Sequence, residues 1–511
     1  MARERRRASR RDRAKDTVET INKIGKVNQP KVNISPYEVV SEEGIEKIHQ
    51  ASLEILSDVG VDFYDEEAIE ILKSHGVKMG GDTGETAFFD REMVMEYVSK
   101  APSEFTQMAR DPENNLKIGG KNMVFAPVYG PPFVYDIHRG RREATLEDFQ
   151  NFVKLAYMSP YVHHSGGTVC EPNDEPTHTR HLDMVYSHIK YSTKAFMGSV
   201  TTGENAEDSV AMAEIVMGDA IYENPAMVSL INVSSPRRYD DRMLGALKVY
   251  AKANQATIIS PFLFSGAMSP VGLAGTLTQM NAESLAGIAF KQMVNPGCPV
   301  IFGCFQTNID LQSGAPVFGS PESQLVLYAA AQLARRHKIP FRSGGMFTGS
   351  KVADAQAAYE SMGVMLPAVQ AGVNFILHSA GWLEGGLAAG YEKFVQDAEL
   401  LGMFHRMLQG LALDENDFAM DSLRNTVVTD HHLGTPHTMK NFRTAFHRAE
   451  IFNYDSYEKW YEEGAETSEQ AAAKKVKKML KDYEAPALDP AIDEALQAYM
   501  AKRKEEIPPE F

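Results

Sequence analysis

Three cysteines, Cys170, Cys298 and Cys304, are the only thiols in 511 residues. They are too few for a disulfide framework, and no CxxC spacing offers a structural zinc site. No run of about 18 apolar residues occurs, so no segment is built to span a membrane. The first residues also lack the apolar stretch of a secretory signal. These absences lead to the expectation of a soluble, cytoplasmic protein. Familiar catalytic signatures are missing too: there is no HExxH, no GxSxG elbow, no GxxxxGK[ST] and no convincing pair of strand-end carboxylates. A formal charge of −16 excludes a body that binds nucleic acid through a basic surface.

What is present is an ordinary globular composition, 43% hydrophobic and 23% charged. Residues 1–15 carry eight Lys/Arg and two acids, a local +6, which leaves −22 for the remainder. This basic run reads as a solvated tail, and residues 1–34 are set apart on that basis. Residues 35–118 read as an N-terminal helical subdomain, with amphipathic helices over 41–58 behind a Ser41 cap, over 65–75 and over 90–99.

From about residue 122 a repeating pattern begins. Short apolar, β-branched or aromatic runs at 122–128, 161–169, 194–200, 226–233, 256–262, 299–305, 340–346 and 373–381 alternate with amphipathic stretches. Eight such strand–helix units predict an α/β fold with a parallel sheet closed into a (β/α)8 TIM-type barrel over 119–455. No GxGxxG follows the first strand, which disfavours a dinucleotide fold. Residues 456–511 form a C-terminal helical extension with two amphipathic patterns.

In such barrels the chemistry lies at the C-terminal ends of the strands. There the sequence places aromatics rather than acids, bases or metal ligands: Tyr129, Phe133, Tyr135, Phe264, Phe305, Phe347 and Trp382. Together these rings describe a dry, electron-rich pocket suited to a quaternary ammonium. His163 and His164 alternate across a strand, so at most one points inward. His164 and His378 are the positioning candidates, with none assigned as acid, base or nucleophile. Cys304 reads as a small core residue. A carboxylate on the ligand would draw on Gln306, Asn308, Arg342 and these histidines. Arg342 is the one strand cation near the expected mouth, and an ion pair within the barrel wall is an equal reading of it.

Several stretches resemble the trimethylamine methyltransferase family. They are Ser269-Pro270-Val271-Gly272-Leu273-Ala274-Gly275, Glu283-Ser284-Leu285-Ala286-Gly287, Pro296-Gly297-Cys298-Pro299, Ser350-Lys351 with Asp354-Ala355-Gln356, Glu384-Gly385-Gly386 with Glu392-Lys393, and His432-Leu433-Gly434 with His437-Thr438. They fall in chain order between about residues 35 and 460. The resemblance implies a barrel methyltransferase that passes a methyl group from an amine to the cobalt of a corrinoid (cobalamin) carried by a partner protein docking at the barrel mouth. No metal would be bound by this chain itself. Founding members of that family carry pyrrolysine in the barrel, and this sequence has none. A quaternary amine releases a neutral amine without needing a proton, so the resemblance points to quaternary-amine demethylation, with glycine betaine the best candidate. Another betaine or a sulfonium donor, or a non-catalytic betaine-binding protein, are the alternatives. A homo-oligomer is expected.

Overall fold

The alternating runs fold as a closed ring of eight parallel segments in the computed structural model, which describes residues 24–509. The basic run 1–15 lies outside the described residues. Val124–Phe125 joins the second segment through the His163 N–H, which donates to Phe125 O at 2.9 Å. The second and third segments are joined by the Ser165 N–H to Ala195 O bond and a parallel Gly166–Phe196 bridge. A Phe196–Met227 bridge leads to the fourth. From there Val228–Val233, Ala256–Ser265, Val300–Gly303, Phe341–Gly344 and Phe375–Leu377 pair in sequence order, and the last pairs back to Val124–Phe125. The ring is therefore the expected (β/α)8 barrel. Its second and third staves are single bridges rather than ladders, because Gly166 takes φ +97° and interrupts the pleat.

Alternation sends one set of side chains inward. Val124, Met197, Leu230, Ile258, Ile301 and Phe375 pack as the barrel interior, while their neighbours in sequence meet the surrounding helices. The helix Leu273–Val294 is apolar and buried on nearly every side. Glu42–Glu54 and Arg91–Val98 pack over it. That burial is why the N-terminal segment sits where it does.

The three N-terminal helices form as expected, and Ser41 Oγ accepts the Gly44 N–H at 3.2 Å as the cap. The subdomain is not purely helical, however. Val61–Phe63, Lys78–Gly80 and Thr86–Phe88 form a small sheet that takes Arg238–Tyr239 as its edge. Runs of three residues are too short for period-two alternation to register in a sequence.

The last barrel helix, Tyr391–Leu408, runs down to the floor of the barrel, where Leu408 O accepts the Asn33 N–H at 3.0 Å. After an irregular segment, Ser468–Asp482 and Pro490–Glu506 return along the outside. Tyr499 and Arg503 hold the buried Asp208 at 2.7 and 2.6 Å, and Lys190 meets Asp493 at 2.5 Å. Among the described residues no helix is long and apolar enough to cross a membrane.

Candidate active site

The fifth strand, Ala256–Ser265, outruns the barrel and takes two partners in turn. Its lower half pairs with Val300–Gly303 and its upper half with Phe305–Ile309. The register sets Phe262 beside Phe305. Ser260, Phe262 and Phe264 alternate with the residues between them, so they share the inward face of Ile258. Phe262 stacks on Phe305 with ring centroids 4.7 Å apart, and Phe264 lies 4.8 Å from Phe262.

Two loops complete the ring cluster. Phe347, after the seventh strand, is 5.1 Å from Phe305. His378 and Trp382, after the eighth, lie 5.2 and 4.6 Å from Phe347 and 4.5 Å from one another. Phe318 closes the outer side, 5.6 Å from Phe347. The loops are tied together: Met346 N–H donates to His378 O at 2.8 Å and Trp382 Nε1–H to Thr348 O at 3.2 Å. His378 has φ +60°, an uncommon conformation for a residue with a side chain. Its Nδ1 accepts the Tyr129 N–H at 3.2 Å, which assigns the proton of the neutral ring to Nε2. Burial holds its pKa well below the usual histidine value, so the ring is neutral.

Arg342 sits in the wall beneath these rings. It is 1% exposed, and its guanidinium carbon is 6.0 Å from the centre of Phe305. Nη1 donates to Ser260 Oγ at 3.1 Å and to Cys304 O at 3.3 Å. Nε and Nη2 are buried with no hydrogen-bond partner. Among the described residues no carboxylate forms an ion pair with it. The wall ion pair that the sequence left open is therefore absent. Desolvation alone pushes its pKa down to about 10, where it still carries its charge at neutral pH. A buried guanidinium with two unused donor groups and no counter-ion costs several kcal/mol, and it is shaped to take a carboxylate.

The remaining candidates divide. Tyr129 adjoins the cluster through its backbone N–H, which anchors His378, while its ring lies against Gly167 and burial pushes its phenol up to about 12. Phe133 and Tyr135 do not. They lie on a hairpin, packed against Leu383 and Ala388. Arg141 covers the Phe133 ring at 3.6 Å, and neither ring touches the cluster. Alternation within a hairpin that leaves the barrel put them on the wrong surface. Gln306 and Asn308 are also tied elsewhere. Gln306 Nε2 donates to Ser265 Oγ and Asn308 Oδ1, and Asn308 Nδ2 donates to Ser320 Oγ at the cap of helix Pro321–His337. His164 points inward, but its ring contact is Phe375, 5.4 Å away, rather than the cluster. Its Nδ1 accepts the Gly166 N–H. His163 faces the other way, onto His405 at 2.8 Å. Sequence reasoning missed Ser260, Phe262 and Phe318. The first two were legible as an inward pair on one strand; the third depends on a hairpin that no pattern announces. Among the described residues no group of His, Cys, Asp and Glu is arranged to hold a metal.

A (β/α)8 barrel with a packed cluster of aromatic rings at its strand ends and a buried cation without a counter-ion in the wall beneath them is what the geometry describes. The chain belongs to the trimethylamine methyltransferase (MTTB) family, whose sequence profile matches residues 3–508, and it is accordingly a methyltransferase. It is 45% identical over 473 residues to the glycine betaine methyltransferase of Desulfitobacterium hafniense (strain Y51), which spans 92% of this chain and 98% of that relative. It is 27% identical to the proline betaine:corrinoid methyltransferase of Eubacterium limosum over 82% and 88% of the two chains. The match to Methanosarcina barkeri trimethylamine methyltransferase MttB is 26%, over 80% and 84%. Among solved structures, the monomethylamine methyltransferase of Methanosarcina barkeri superposes with a TM-score of 0.50 at 10% identity, covering 88% of this chain and 90% of that one. That likeness is one of fold.

Proposed function

We propose that the enzyme demethylates glycine betaine, delivering the methyl group to a corrinoid held by a separate protein that docks over the strand ends. The observation that carries this reading is Arg342, a buried guanidinium 6.0 Å from the Phe305 ring, with no counter-ion and with Nε and Nη2 unused. One short zwitterion satisfies both elements, with its carboxylate on Nε and Nη2 of Arg342 and its trimethylammonium against the rings. Each ring facing the cation adds about 0.5–2 kcal/mol. Neutral His378 adds no competing charge.

The chemistry asked of this chain is positioning. One N–CH3 bond breaks, its electron pair stays on nitrogen, and a neutral tertiary amine departs with no proton required. The partner's reduced cobalt supplies the nucleophile. The rings exclude water and hold the cation, Arg342 fixes the far end, and the remaining N-methyl is left to face the mouth. Because no proton moves, this scheme asks no acid, base or nucleophile of the chain, and His378 is left a positioning role. The high identity to a glycine betaine methyltransferase supports the same substrate.

The test is anaerobic and spectroscopic: purified enzyme, cob(I)alamin and, separately, glycine betaine, proline betaine, carnitine and trimethylamine. Methylcobalamin forming with glycine betaine and not with trimethylamine supports the reading. Turnover of another betaine alone reassigns the substrate. Tight betaine binding without turnover, even with a cognate corrinoid protein, replaces the enzyme by a binding protein.

A further inference from the structure

The helix that follows the seventh strand, Ala355–Gln370, anchors the loop that carries Phe347. Three side chains at its start hold residues 346–350. Asp354, at the cap, accepts the Ser350 Oγ–H at 2.8 Å, and Ser361 Oγ donates to Met346 O at 3.1 Å. Between them stands Glu360, which is half-buried. Its Oε2 accepts both the Thr348 Oγ1–H at 2.6 Å and the Gly349 N–H at 2.8 Å. Its Oε1 accepts from Gln356 Nε2 at 2.9 Å. Both carboxylate oxygens are thereby spent on the protein itself, so Glu360 is not placed to hold a ligand.

Thr348 gives these bonds their consequence. It is wholly buried, and its carbonyl accepts two donors from the loop after the eighth strand, Trp382 Nε1–H at 3.2 Å and the Gly385 N–H at 2.9 Å. Glu360 therefore grips the residue that fixes the indole N–H. It also adjoins the loop after the sixth strand. Gly319 takes φ +70°, and a Cβ there would lie 2.8 Å from Glu360 Cα. Gly319 follows Phe318, whose ring is 5.6 Å from Phe347 and 5.9 Å from Trp382. Three loops that supply rings to the cluster thus converge on one residue of one helix.

We infer that Glu360 is a positioning residue for methyl transfer, fixing Trp382 and Phe347 through Thr348 as part of the wall that the ligand's cation meets. The role rests on the proposed use of the rings as the cation site. Hydrogen bonding rather than charge is the working element, since the carboxylate reaches the rings only through a hydroxyl and a backbone amide. A ring that turns loses its face to the cation, and a methyl group held out of line loses rate.

The chain has two tryptophans, Trp382 and Trp460. Trp460 lies in the helix Tyr457–Glu462 of the C-terminal extension, so Trp460→Phe leaves the cluster indole alone to report by fluorescence. In that background Glu360→Ala should shift the emission to the red and raise acrylamide quenching about twofold or more, as the packed ring loosens locally. Circular dichroism should be unchanged. The Kd of glycine betaine should rise about three- to thirtyfold, and kcat for methylcobalamin formation should fall about tenfold. Glu360→Gln should restore all of these, because its amide oxygen accepts both donors and the Gln356 amide can turn to meet its nitrogen. A merely structural glutamate would lower the melting temperature and leave the emission, Kd and kcat of the folded enzyme as they were. That result overturns the inference, and so does a Gln variant as impaired as the Ala variant. The emission is read without ligand, so it decides the role of Glu360 even where betaine does not bind; that failure counts against the substrate alone.

Discussion

Arg342 was legible in the sequence as a cation within a strand, but its solitude was not, because a missing partner is a property of the packed wall. Two outcomes separate its roles. Arg342→Met should weaken glycine betaine binding about a hundredfold or more by calorimetry, the loss of charge-assisted hydrogen bonds worth about 1.5–3 kcal/mol each. The same variant should melt no lower than wild type, since it removes a buried charge that nothing compensates. Arg342→Lys should not rescue binding, because a point charge cannot fill a two-donor fork. Phe305→Leu keeps the volume and loses the ring, and should weaken betaine two- to thirtyfold, with a neutral isostere of betaine affected less. The other ring positions were readable only as candidates. Phe133 and Phe347 look alike in sequence, yet one lies on a hairpin and the other over the barrel.

At the scale of elements, the eight runs were plain because each couples an apolar strand to an amphipathic helix. What alternation does not announce is which strands rise above the barrel, and the fifth and sixth do so to build the site. The loops after the seventh and eighth strands are equally silent in sequence, since backbone bonds join them. Gly344 shows how closely they fit. A Cβ there would lie 1.9 Å from the Phe347 ring. Gly344→Ala should therefore displace Phe347 and cost betaine about tenfold in affinity while the far-ultraviolet circular dichroism is unchanged. A variant that binds betaine normally would show that Phe347 does not touch the ligand.

For the whole molecule, the fold was readable and its acid sensitivity was not. Seven histidines are held neutral by burial. His49, His188 and His405 are pushed down to about 4, His164 and His337 to about 3, and burial holds His163 and His378 well below the usual histidine value. In the unfolded chain each takes its proton near 6.5, so between that pH and about 4 the unfolded state binds more protons and stability falls as pH falls. Each group contributes a slope of up to about 1.4 kcal/mol per pH unit. Carboxyls raised by burial oppose this in part: Asp397 is pushed up to about 6, and Glu171, Glu283 and Glu392 are also raised. Urea midpoints should drop steeply from pH 7 to pH 5, and a flat profile would mean that these histidines are protonated in the fold. The apolar side chains left open beneath the barrel were equally invisible. Leu411, Val428 and Phe446 read as core residues in a sequence, and only the packed barrel shows them left outside.

The guanidinium without a counter-ion also bears on turnover. In the proposed reaction, removing one methyl from glycine betaine leaves the carboxylate untouched, so the group assigned to Arg342 is the one that stays behind. A clamp of that kind binds substrate and product alike and gives no push toward release. Selectivity between them falls to the rings, which meet a permanent cation before transfer and a titratable amine after it. Dimethylglycine should therefore compete with betaine, and more strongly at pH values where its nitrogen is protonated. The pace of the enzyme would then be set by how fast the spent amine leaves.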